Sequence, residues 1–189
     1  MTFFEYLSVA VSVVLSLSAS QILANIRAVF HPQRRYWVHA LWVVLLLYFH
    51  IAIWWRFWTF RDFDSWNLGV FGLVLLGPGL LVVCSSTLVL SQQSDETSWE
   101  QHFFSVRAWF FVALGFVFVL GRVLFSFLLS VSLLDPSQYY GTLLVLVCVV
   151  GAVSASKRVH SALVLVSLVG AILSALFPWF EPAGLLPSR

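Results

Sequence analysis

The stretch that most constrains this chain is Tyr36 to Phe60, YWVHALWVVLLLYFHIAIWWRFWTF, an apolar run with aromatic clusters at both ends and two histidines inside. Trp37 and Trp58 are 21 positions apart, about 31 Å along a helix, which matches a hydrocarbon core of about 30 Å. Tyr36, Trp37 and Trp42 fall at one interface and Trp54, Trp55 and Trp58 at the other, where amphipathic rings prefer to lie. The run therefore reads as a membrane-spanning helix.

The rest of the chain agrees. Of its 189 residues 61% are hydrophobic and 10% charged, whereas roughly a quarter of a soluble domain is charged. The net charge of +2 is too small to argue for nucleic acid as a partner, so the lipid bilayer is the first partner expected. Cys84 and Cys148 fall inside apolar runs and read as small core residues. Ser18-Ala19-Ser20 looks like a small-residue cleavage site, but the start carries Glu5 and no Lys or Arg, so a cleaved signal peptide is not expected.

Six spans follow from the apolar runs, at about 3–23, 36–60, 67–90, 107–134, 138–156 and 159–177, in one transmembrane domain covering 1–189. The fold class expected is an all-α six-helix bundle. Serines at 8, 12, 16 and 20 form an i+4 row that would let a neighbouring helix approach closely. The third span carries Gly77-Pro78-Gly79 near its middle, and Pro78 cannot donate to the carbonyl of Val74, so this helix is expected to be broken or kinked. The long polar segment SQQSDETSWEQH, residues 91–102, holds Asp95, Glu96 and Glu100 as a solvated face. Within it Ser98 with Gln101, or Thr97 with Glu100, has the spacing of a helix start. Gly151 with Ala155, and Ser167 with Gly170 and Ser174, suit a tight hairpin of the last two helices.

Arg27, Arg34, Arg35, Arg107, Lys157 and Arg158 would share one side of the membrane, against Arg56, Arg61 and Arg189 on the other. By the positive-inside rule the first side is cytoplasmic and both termini lie outside.

Phe3-Phe4-Glu5-Tyr6-Leu7-Ser8-Val9, with Tyr36-Trp37-Val38-His39, His50 and Trp54-Trp55, resembles a group of small, uncharacterised multi-pass membrane proteins of bacteria. The resemblance covers the first third of the chain. It implies a bacterial inner membrane and carries no activity.

Few residues in the spans carry chemistry. Arg122 lies 15 positions from Arg107 and 13 from Asp135, about 22 and 20 Å, which places it near mid-membrane. A buried Arg costs at least about 2.5–3.5 kcal/mol there, so it needs partners. The carbonyls freed around Val74 are the partners expected. His50, Arg122, Ser126, Gly77, Pro78 and Gly79 then fall in one slab, either as a mid-membrane polar pocket or as a hydrogen-bonded core. Glu5 and Arg56 lie at similar depth and are expected to form an ion pair at the outer interface. His39 and His160 are weak candidates for a metal or bis-histidine haem site, because no ligand spacing such as HExxH or CxxC supports one. No cofactor is otherwise expected, and no catalytic set is visible. The acidic residues sit near span ends, leaving a hydrolase or phosphotransferase without its base.

Three functions are consistent with this sequence. The first is a non-enzymatic membrane protein acting through protein contacts, as a subunit, sensor or assembly factor, with a protein partner or a second copy of itself. The second is a small channel or transporter for a proton, ion or small solute using the mid-membrane pocket. The third is a haem or quinone redox protein.

Overall fold

The computed structural model describes residues 2–32, 35–89 and 98–176. The polar segment from 90 to 97, with Asp95, Glu96 and Thr97, and the stretch from 177 onward lie outside the described residues, as does Arg34. Six α-helices make the bundle: α1 (Phe3–Val29), α2 (Trp37–Phe57), α3 (Leu68–Val89), α4 (Trp99–Leu129), α5 (Tyr139–Val153) and α6 (Lys157–Leu176). Short 3₁₀ turns, Trp58–Phe60 and Pro136–Gln138, follow α2 and precede α5. All six helical segments are long and apolar enough to cross a membrane. Their outward faces are apolar: Ile51, Trp109 and Phe127 are 69, 76 and 81% exposed. Water would not tolerate such a surface, and lipid requires one. The protein is a multi-pass membrane protein.

Helix α2 is the axis of the bundle, touching α1, α3, α4 and α6, and is the most buried of the six. Trp42, Val43, Leu45, Leu46 and Phe49 are all inside. The Trp42 ring meets Phe111 edge-on at 5.0 Å, and Phe49 meets Phe118 the same way at 5.0 Å. Around this axis α1 packs on α3, α3 on α4, and α4 on α5, with α6 closing against α2 and α5.

Local chemistry explains the helix starts. Thr2 caps α1 and Glu5 reaches back to the Thr2 amide, a reciprocal capping box. Ser98 accepts from the Gln101 amide and opens α4, so that of the two pairs with cap spacing, Ser98 with Gln101 is the one used. This start lies eight positions before the expected entry at Arg107. Helix α4 ends at Leu129, five positions before the expected end, because Ser130 takes a left-handed conformation with φ 54°.

Helix α3 runs unbroken through Gly77-Pro78-Gly79, with Pro78 buried. Pro78 removes one rung of the ladder, yet packing against α1 and α4 carries the helix across it. The small residues of the last helices divide their work. A Cβ on Gly151 would meet the buried Phe111 ring of α4 at 2.8 Å, so Gly151 serves the α4–α5 contact, not the α5–α6 hairpin. Gly170 lies against the Tyr140 ring and does hold α5 to α6.

Candidate functional site

The buried stripe of α1 runs Leu7, Val11, Leu15, Ser18 and Ile22. It passes beside the regular serine row, not along it. Ser8, Ser12 and Ser20 bond carbonyls of their own helix, while Ser18 points into the bundle. There Ser18 Oγ lies 2.7 Å from Ser85 Oγ of α3 and 2.7 Å from His50 Nε2 of α2. His50 Nδ1 lies 2.6 Å from the Leu46 carbonyl. A carbonyl can only accept, so Nδ1 donates, and in the neutral tautomer Nε2 accepts from Ser18, which in turn accepts from Ser85. Three helices are thereby joined by one closed chain, and both His50 nitrogens are satisfied inside the protein.

The structure does not bring His50 and Arg122 into one pocket. Arg122 sits seven positions before the end of α4, about 10 Å or two turns from it. The chain turns back directly after α4, so the nearest free carbonyls are in the α4–α5 connection. Arg122 donates to Gln138 at 2.5 Å and to Leu133 at 3.0 Å, in place of the carbonyls near Val74. Ser126 lies one turn beyond Arg122, half-buried. Gly77 and Pro78 line a different cavity, of about 100 Å³, together with Arg56 of α2. Gly79 is half-buried and lines neither cavity.

The expected Glu5–Arg56 ion pair is absent among the described residues. Glu5 is engaged at the α1 cap. Arg56 turns the other way, donating to the Ser137 carbonyl at 3.4 Å with its guanidinium 4.0 Å from the centre of the Phe125 ring. A second cavity, of about 120 Å³, lies where α2, α4 and α5 meet and is lined by both Arg56 and Arg122.

At the opposite end of the bundle the histidines finish helices. The last carbonyls of a helix have no partner within it, and near lipid they must find donors. Trp99 Nε1 donates to Ala28 of α1 at 2.7 Å and His39 Nε2 to Leu88 of α3 at 2.9 Å. His160 Nε2 and Arg107 Nε donate to Ser154, just past α5, at 2.9 and 3.0 Å. The Phe103 ring stands edge-on to both His39 and His160. Among the described residues no three His, Cys, Asp or Glu side chains converge as a metal set.

Two groups between spans show the electrostatics of the ends. Tyr36, beside the Phe103–Phe104 pair, has its hydroxyl pushed above the usual range by burial and by the nearby Glu100 carboxylate. Asp135 is held below the usual carboxylate range by hydrogen bonds from Ser137.

Of the residues that matter here, the sequence pointed to His50 and Arg122 and missed Ser18, Ser85 and Gln138. Ser18 carried one usable signal, its i+3/i+4 spacing from Leu15 and Ile22; the other two carried none. Comparison with protein-family models, with curated proteins and with solved structures finds no match to this chain.

Proposed function

We propose that this is a non-enzymatic protein of a bacterial inner membrane that acts through contacts with other membrane proteins or with copies of itself. In this reading the histidine end, where the basic residues gather, faces the cytoplasm and the Thr2 end faces outward. The observation that supports it is the closed His50–Ser18–Ser85 chain. A transport route needs a polar group free to exchange water, ions or protons at mid-membrane. His50 is the best-placed such group, and its bonds all go to the bundle that surrounds it. What remains to act is the apolar exterior.

Cysteine accessibility separates the two readings. In a background with Cys84 and Cys148 replaced, a cysteine at position 50 should stay unlabelled by a membrane-impermeant thiol reagent in intact cells. A cysteine at the exposed Ser65 should be labelled. Labelling at position 50 in a folded variant would overturn the contact reading and favour a channel or transporter.

A further inference from the structure

We propose that the cavity between α2, α4 and α5 binds a phosphate group. Arg56, Arg122 and Gln138 all line it. Gln138 is only 2% exposed, and its Nε2 is buried with no hydrogen-bond partner. A buried amide donor is normally paired, because leaving it unmade costs its full desolvation. Among the described residues no Asp or Glu lines the cavity. Asp135 is close in sequence, but its carboxylate turns to the Ser137 amide at 2.9 Å. The two arginines line the one cavity, so two positive charges are set together. Like charges set together with an unpaired donor and no acid are complementary to an oxyanion, and the planar guanidinium fork matches phosphate in particular.

The position favours a phosphate carried by the membrane. Arg56 is one residue from the end of α2, level with the exposed Trp54, Trp55 and Trp58. Indole rings settle at the headgroup level, where lipid phosphates lie. Gly121, which lines the cavity, is exposed, so the cavity opens on the helix surface there. A Cβ at Gly121 would meet nothing within 4 Å. An anionic lipid can therefore enter from the side, and free phosphate from the water at the same end.

Thermal unfolding of the purified full chain in neutral detergent tests this, with two pairs of probes. Phosphatidylglycerol is compared with phosphatidylcholine at equal mole fraction, and inorganic phosphate with chloride at equal ionic strength. At saturation the favoured probe should raise the apparent midpoint by roughly 5 °C. A response to phosphatidylglycerol alone assigns the site to lipid, and a response to inorganic phosphate opens it to the free ion. No response in either pair overturns the proposal. Gly121→Leu fills the mouth of the cavity and leaves all three donors in place, so it should abolish the shift while keeping helical content and a single elution peak. Arg56→Gln should do the same. A full shift retained in folded Gly121→Leu and Arg56→Gln also overturns it, because binding would then lie elsewhere.

Discussion

The two polar assemblies inside this bundle are built on opposite principles. Around His50 each donor has an acceptor, and the partners come from α1, α2 and α3. Around Arg56 and Arg122 the donors outnumber the acceptors, and the guanidinium groups donate to backbone carbonyls of a single connection. The difference follows depth. At mid-membrane no water can complete a half-made network, so only a closed one survives. One or two turns from the interface, water or a headgroup can supply what the protein lacks, and a surplus of donors becomes tolerable. The first assembly specifies the fold. The second has capacity left over.

The sharpest way to break this contrast is to remove a member of each. His50→Ala strands Ser18 and leaves the space of the ring empty, so unfolding free energy should fall by roughly 1–3 kcal/mol. Ser85→Ala removes one hydroxyl bond and should cost only about 0.6 kcal/mol, near the average for hydrogen bonds between membrane helices. Arg122→Ala frees the exposed Leu133 carbonyl and leaves the Gln138 carbonyl its bond from Thr142, and should cost about 0.5–1.5 kcal/mol. Reversible unfolding in mixed detergent gives all three values. If Arg122→Ala cost more than His50→Ala, the closed mid-membrane chain would not be the fold's main polar constraint.

The sequence made the bundle legible because hydrophobic length alone decides the class: spans 36–60 and 159–177 were expected close to Trp37–Phe60 and Lys157–Leu176. The site was less legible, for three physical reasons. Loop residues point to Asp135 as the stop of α4, whereas Ser130 turns the chain five positions earlier. The helix end therefore lies seven positions from Arg122, closer than the 13 that separate it from Asp135. Regularity was mistaken for orientation in α1, where the i+4 serines are conspicuous and the buried stripe runs through Ser18. Finally, Glu5 and Arg56 were paired by charge and depth, whereas Thr2-x-x-Glu5 already announced a capping box. Short-range backbone chemistry outranked the longer ion pair.

Ser130 offers a finer cut at the same comparison. A non-glycine residue in the left-handed region costs about 1–2 kcal/mol, against about 0.5–1 kcal/mol of extra chain entropy for glycine. Ser130→Gly should therefore stabilise the protein by about 0.5–1 kcal/mol. The gain should appear in the unfolding midpoint without altering a phosphate-dependent shift, since Ser130 does not line the Arg122 cavity. A change in that shift would tie the end of α4 to the donor cluster.

The smallest effect expected is a pH dependence in the connection that Arg122 holds. Asp135 accepts the Ser137 amide at 2.9 Å and starts the turn that leads into α5. Those hydrogen bonds favour the carboxylate, so its folded value lies below the usual 3.8. The unfolded chain then binds this proton more readily than the folded one. Stability from the group is present above the unfolded value and is lost as pH falls through the folded one. Acidification below about pH 4 should loosen residues 130–138 first, seen as faster amide exchange at Ser137 and Gln138. Asp135→Asn keeps an oxygen acceptor for the Ser137 amide but has no proton to gain, so its exchange rates there, corrected for intrinsic chemistry, should stay flat across the same range. An equal acid response in Asp135→Asn would assign the loosening to another carboxylate and leave the connection's order to Arg122 alone.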